Sequence, residues 1–364
     1  MIRLRENIDL KEMTTFGLPA LCGRLVEFSD PETDLPELDL EGILDGAVVL
    51  GGGSNMLFTA PAPGLTVIHP ANTGVRFSDP AEDTVIVTAD AGVILDDLCR
   101  QTCEAGLWGL ENLSGIPGHI GGAAVQNVGA YGAEFSDAIE NVTCYSLKSH
   151  GFVTFNRDDC HYGYRDSVFK HQHPDETLIV CRVTLRLQVT PDLKLGYKGL
   201  RDALCDKYAL DKNASCQADI DGLTAKGVTP ITVRETVISL RDSKLPAPSE
   251  TGSAGSFFKN PVVTLAELER IKSCWEEIDG NSNPLPYHMT PDGMAKLSAA
   301  WLIDKAGCKP LTEGGAALWQ SQPLVIVNLT GDATGQEVVK LEKAIIRQVE
   351  SVFGVTLSPE VIHI

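Results

Sequence analysis

An α+β architecture follows from three features of the 364-residue sequence. Short strand patterns punctuated by Gly-rich turns fill the first half, a single strongly amphipathic helix stands among them, and capped helices dominate the second half. Strand pairs with so few helices between them do not read as a regular doubly wound sheet. A chain of this length is also expected to form two or three domains rather than one core.

Taken in order, the strand patterns fall at 47–50, 66–69, 84–88, 142–147 and, as the longest alternating run, 177–187. The helix at 93–105 carries Leu95, Leu98, Cys99 and Thr102 on one face at i, i+3, i+4 spacing. Thr264-Leu-Ala-Glu267 and Thr334-Gly-Gln-Glu337 are capping boxes, in which hydroxyl and carboxylate satisfy backbone N–H groups that have no partner inside the helix. The helix opened by Thr334 places Val338, Leu341, Ile345, Val349 and Val352 on one stripe and stops at Gly354. A further helix is expected at 293–305 and a strand at 324–328, whereas 206–229 is polar without strong periodicity and marks a domain boundary.

Hydrophobic residues make up 43% of the chain and charged residues 22%, the balance of a folded enzyme rather than a disordered segment. No apolar run approaches the roughly 20 residues of a membrane span, and residues 1–10 already carry Arg3, Arg5 and Glu6, so a soluble, cytoplasmic protein without membrane contacts is expected. With 30 basic and 49 acidic residues the net charge is −19, which repels polyanions and argues against nucleic acid. A small anionic substrate then requires cations gathered locally. The ten cysteines form no CxxC pair and read as buried reduced thiols. Only His171 and His173, in KHQHPDE, approach metal-ligand spacing; that stretch reads as a polar surface turn, and no metal is expected.

Two segments concentrate glycine. Gly51-Gly52-Gly53-Ser54-Asn55 follows the first strand pattern and could turn successive N–H groups toward a phosphate, although a tight inter-strand turn explains a triple glycine equally well. The second runs SGIPGHIGGAAVQNVGAYG from Ser114 to Gly132, with six glycines. So much glycine is incompatible with an ordinary helix or strand core and implies close approach of backbone to something else. Neither a P-loop nor a GxGxxG fingerprint is present.

GGGSN followed by SGIPGxxGGAxxQNxGAYG resembles the flavin-binding half of the UDP-N-acetylenolpyruvoylglucosamine reductase family, within the wider vanillyl-alcohol-oxidase-like FAD fold. The opening NIDLKEMTTFGL and the last residues extend the resemblance over nearly the whole chain. It implies a two-part FAD-binding region, 1–75 (with 350–364 folding back) and 76–225, followed by an α+β substrate-binding domain at 226–349. Non-covalent FAD would be held by Gly51, Gly52, Gly53, Ser54, Asn55, Ser114, Gly115, Ile116, Pro117, Gly118, Gly121, Gly122, Ala123, Gln126 and Asn127, with NADPH as reductant.

The resemblance also assigns chemistry to residues that would otherwise pass as ordinary. Arg165, in GYRDS, could be paired with Asp166 at the surface, but matches the family arginine beside the substrate carboxylate and enolate. Ser256, in GSFFKNP, matches the proton donor to the enol carbon, and Glu360, in the terminal SPEV, matches the catalytic glutamate. Tyr131, Tyr164, Tyr197, Lys244, Asn260 and Lys305 form the substrate-binding set. Tyr197, in LGYKGL, indicates the subtype whose Tyr loop closes over substrate. Lys305 stands where the family has a glutamine, and 201–241 is longer than the family pattern. A monomer is expected. The alternatives are an alcohol or aldehyde oxidase of the same flavin fold, and a non-catalytic binder of flavin or sugar nucleotide.

Overall fold

The computed structural model describes residues 1–171, 177–211, 215–280 and 283–364. The turn expected around His173 lies outside them. The chain condenses into two compact units, the first comprising Met1–Ile8, Cys22–Gly52 and Pro63–Ser243, the second Asp9–Leu21, Gly53–Ala62 and Lys244–Ile364.

Besides a two-stranded ribbon of Gly129–Ala130 and Ala133–Glu134, the first unit is built on two larger sheets. Strands Arg3–Asp9, Leu21–Phe28, Ala62–Pro70 and Val48–Val49 lie in that order in one of them, and helix α1 (Pro31–Leu40) supplies Leu35 and Leu38 to the core beneath it. The other runs Gly151–Asn156, Ile139–Ser146, Leu178–Gln188, Thr84–Asp90, Val75–Phe77. Its central strand, Leu178–Gln188, buries Val183, Leu185 and Leu187 on one face while Arg182, Thr184 and Arg186 lie on the other, the period-2 pattern seen in the sequence. Helix α2 (Leu95–Glu104) buries Leu95, Leu98, Cys99 and Thr102 as expected, with Cys103 added. All ten cysteines are free thiols, eight of them buried, and burial pushes Cys103 up to about 12. A short helix α3 (Ile120–Gln126) follows.

Three more helices complete this unit: α4 (Lys198–Tyr208), α5 (Cys216–Ala225) and α6 (Pro230–Asp242), packed around Trp108, Leu200, Leu204, Leu223, Val233 and Val237. The polar stretch 206–229 holds the end of α4 and all of α5. Ser215 caps α5 by accepting the Ala218 N–H, and the helix buries only Asp219 and Leu223, too few positions to register as periodicity. The compact units divide at 243/244, after α6, which packs against α2 and the turn at Glu111–Leu113.

The second unit is built on the antiparallel sheet Gly252–Ser256, Val325–Asn328, Ala316–Leu318, Thr312–Glu313, beside a small sheet of Val262–Val263, Ala295–Leu297 and Tyr287–Met289. Helices α7 (Leu265–Asp279), α8 (Ala299–Lys305) and α9 (Gly335–Phe353) cover it. Both capping boxes form, and Gly354 ends α9 in the left-handed conformation. Phe353 is fully buried whereas Val352 is only partly so. The single helix expected at 293–305 is instead a strand and then α8. Ala295 and Leu297 alternate inward against Val262–Val263, and Ser298 begins the helix by accepting the Trp301 N–H. Among the described residues no helix is long and apolar enough to cross a membrane.

Candidate active site

In the first unit the two glycine segments meet. A Cβ placed on Gly52 would lie 2.7 Å from the Cα of Gly118. The backbones thus approach as closely as the sequence implied, at a separation only glycine permits. His119 leads into α3 and faces His69 at 5.7 Å between ring centroids. His69 Nδ1 is 2.8 Å from the Leu50 carbonyl, at the foot of the first glycine segment. The two rings border a cavity of about 420 Å³ that Val93, Ile94, Asp97 and Gln101 also line. His119 Nδ1 is buried without a hydrogen-bond partner, and burial, with His69 beside it, pushes His119 down to about 4. It is neutral at pH 7, and its buried nitrogen remains available to a ligand.

The second glycine segment is held from within. Ser114 is fully buried and its hydroxyl donates to the Glu111 carbonyl at 2.7 Å. Gly115 takes φ +72° and gives its N–H to Asp96 at 2.5 Å. Asn127, left-handed at φ +43°, ends α3. Its amide donates to Glu134 (3.0 Å) and the Gly163 carbonyl (2.9 Å), and its oxygen accepts the Ser136 N–H (3.0 Å). The side chain expected to contact cofactor is therefore occupied in knitting three loops together. Gln126 accepts from Lys170 at 2.8 Å, and the same ammonium reaches the Arg165 carbonyl at 3.0 Å.

Arg165 is thereby placed against this segment. Its guanidinium donates to the carbonyls of Gly129 (2.5 Å) and Asn127 (3.4 Å) and lies 5.4 Å from the centroid of the Tyr164 ring. Asp166 is taken instead by His171, at 2.6 Å. Arg165 and Tyr131 both sit at positive φ, +55° and +51°, a strain that persists only where surroundings over-determine it and that clusters at functional sites. Tyr131 meets Tyr197 edge to face at 5.1 Å, and Tyr197 is the N-cap residue of α4. Burial raises the Tyr131 phenol, with nearby Arg241 opposing.

The second unit contributes its own cluster. Gly53 has φ +59°, and a Cβ there would fall 2.1 Å from the Met13 carbonyl oxygen. Asn55 donates its side-chain amide to the Glu360 carbonyl at 3.2 Å and its carbonyl accepts the Ile362 N–H at 3.0 Å, so that Ile362–His363 pairs in parallel with Met56–Leu57. The Glu360 N–H donates to the Phe257 carbonyl at 2.8 Å, and the Lys259 N–H to the Ser358 carbonyl at 2.9 Å. The backbone ladder brings Glu360 beside the residue that follows Ser256. Ser256 is exposed at the end of its strand, just past a register shift in which Ser253 faces Val327 and Ser256 faces Val325. Three steps on one strand against two on the other constitute a β-bulge, a device that re-aims a side chain.

Asn260 accepts the Ala299 N–H at 2.9 Å and so fixes the start of α8, at whose far end Lys305 stands. The Lys244 carbonyl accepts the Trp319 indole N–H at 3.0 Å. Sequence reasoning missed Asp96, Arg234, Glu134 and Lys170, which shape the glycine segment. Their charges are commonplace, and Asp96 and Arg234 are 138 residues apart, so no local pattern could reveal them.

Backbone-lined glycine loops and an orphaned buried imidazole nitrogen beside a cavity suit a bound cofactor, and the chain's family match and relatives make it an FAD-dependent oxidoreductase. Residues 46–147 match the FAD binding domain family, and residues 247–364 match the C-terminal domain of UDP-N-acetylenolpyruvoylglucosamine reductase. The chain is 37% identical to the UDP-N-acetylenolpyruvoylglucosamine reductase of Chromobacterium violaceum over 99% of its own length and 98% of the relative's. To that of Pseudomonas aeruginosa it is 38% identical, again over 99% and 98%. The crystal structure of UDP-N-acetylenolpyruvylglucosamine reductase from Thermus caldophilus shares the fold, with a TM-score of 0.64 at 24% identity over 100% of this chain and 99% of that one. The chain belongs to the UDP-N-acetylenolpyruvoylglucosamine reductase family.

Proposed function

We propose that this protein uses NADPH to reduce the enolpyruvyl ether of UDP-N-acetylglucosamine to UDP-N-acetylmuramate, a precursor of peptidoglycan. FAD, held by 51–55 and 114–127, supplies the hydride when bound. The rest of the chemistry falls to side chains. Hydride arriving at the terminal methylene carbon leaves an enolate conjugated to the carboxylate, and its negative charge must be met by preorganised groups. The planar fork of Arg165 suits that carboxylate and enolate, and Glu360 acts with it. The Ser256 hydroxyl then gives its proton to the adjacent carbon. Tyr131, Tyr164, Tyr197, Lys244, Asn260 and Lys305 bind the sugar nucleotide, with Tyr197 on a loop that closes over it. In this reading 1–75, 76–225 and 226–349 act as two flavin-binding parts and a substrate-binding part, in a cytoplasmic monomer.

The observation that supports the reading is that the Glu360 N–H donates to the Phe257 carbonyl, which sets Glu360 beside the residue that follows Ser256. Ser256→Ala should still bind FAD and accept hydride from NADPH, as judged by bleaching of the flavin spectrum, yet lose reoxidation by the enolpyruvyl sugar nucleotide by about 100-fold or more. Undiminished reoxidation would remove Ser256 as the proton donor.

A further inference from the structure

Asp96 and Asp97 stand side by side in the first turn of α2 but do different things. Asp97, about half exposed, faces its helix neighbour Arg100 at 3.6 Å. Asp96 turns inward. One of its oxygens accepts the Gly115 N–H at 2.5 Å, and both accept the fork of Arg234 on α6, Nη1 on Oδ1 and Nη2 on Oδ2, the latter at 2.9 Å. Burial opposes ionisation, but the hydrogen bonds from Arg234 and Gly115 outweigh it and hold the carboxyl below its usual range.

Arg241, two turns along α6 from Arg234, covers the same glycine. A Cβ on Gly115 would lie 3.1 Å from Arg241 Nε and 3.2 Å from its Cδ. Gly115 is thus fixed through its amide by Asp96 and covered by Arg241, in a left-handed conformation that other residues avoid. Helix α6 packs in turn on α4, whose N-cap residue is Tyr197. One carboxylate therefore joins α2, the glycine segment and the helical layer that carries Tyr197.

We propose that Asp96 is a positioning residue for the cofactor: it holds the Gly115 turn in its binding shape and, through Arg234, ties that turn to α6, so that FAD occupancy and the order of α6 are coupled. Coupling of this kind is reciprocal, so whatever loosens α6 weakens FAD and FAD tightens α6. The inference rests on the reading that 114–118 contacts FAD.

The test is titration of the apo-protein with FAD, followed by flavin fluorescence, together with amide hydrogen exchange across 114–118 and 230–242. Asp96→Asn leaves the shape but removes the charge that Gly115 and Arg234 share, and should weaken FAD binding about 10-fold or more. Arg234→Gln leaves Asp96 on Gly115 but releases α6. It should weaken FAD about 3-fold or more and abolish the slowing of exchange in 230–242 that FAD produces in the parent. Glu104→Gln, which breaks an exposed pair with Arg100 on the same helix, should change neither reading. FAD affinity of Asp96→Asn within roughly two-fold of the parent, or undiminished FAD protection of α6 in Arg234→Gln, overturns the proposal. Should Asp96→Asn fail to fold, the exchange pattern of Arg234→Gln decides. If FAD binds the parent without protecting 114–118, the cofactor-site reading itself fails and takes this proposal with it.

Discussion

Glu111 is 1% exposed, and its Oε2 accepts the Gly109 N–H at 2.6 Å. Burial dominates its ionisation: although the Gly109 amide and Lys194 favour the charged form, the carboxyl is pushed up to about 7 from the 4.5 of an exposed glutamate. Between those values the folded protein holds a proton that the unfolded chain has released. The stabilising contribution is thus complete below pH 4.5, declines as pH rises toward 7, and is gone above it. At about 1.4 kcal/mol per pH unit, the interval amounts to roughly 3 kcal/mol. Glu111→Gln removes the titration while keeping an oxygen for the Gly109 amide. Urea unfolding of parent and variant, followed by circular dichroism at pH 5, 6, 7 and 8, should show the variant gaining on the parent by roughly 2 to 3 kcal/mol from the lowest pH to the highest. Parallel stability curves over that range would refute the argument, because they would mean that Glu111 ionises alike in both states. The place matters to function, since the Glu111 carbonyl also receives the Ser114 hydroxyl at the head of the glycine segment.

Further outcomes follow from the same geometry. Gly53→Ala should destabilise the protein by more than about 2 kcal/mol and weaken FAD binding, because its Cβ meets fixed Met13 backbone at a positive φ. Gly64→Ala, where nothing lies within 4 Å, should melt within a degree or so of the parent. Asn127→Ala deletes three hydrogen bonds and leaves the Ser136 N–H, which is buried, without its acceptor. A loss of about 2 to 4 kcal/mol in urea unfolding is expected, with a rise in protease cleavage near 127–136, and an unchanged midpoint would contradict the knitting role.

How much of this was legible depended on how far apart the partners are in sequence. The capping boxes at Thr264 and Thr334, the stripe of α9 and the alternation of 178–187 are local patterns, and they form as read. The helix expected at 293–305 was misread because Ala295 and Leu297 suit a helix and a strand alike, and only pairing with Val262–Val263 decides between them. The stretch holding α5 was misread for the opposite reason, a helix with almost no buried face. At the candidate site the sequence exposed the glycine segments, whose backbones meet at Gly52 and Gly118. It could not show that Asn127 spends its side chain on Glu134, Gly163 and Ser136, nor that Asp96 waits for an arginine on a distant helix. Such contacts depend on tertiary approach, which no short window contains.

The bulge between Ser253 and Ser256 gives chain length a chemical meaning. On a pleated strand, parity assigns each side chain to a face, and the bulge absorbs one surplus residue, so that Ser253 and Ser256, three positions apart, both lie on the face of Val327 and Val325. Gly255, inside the bulge at φ +69°, helps the chain take up that surplus residue in a backbone conformation other residues rarely adopt. A substitution at Gly255 would therefore disturb how Ser256 is presented without touching the serine itself.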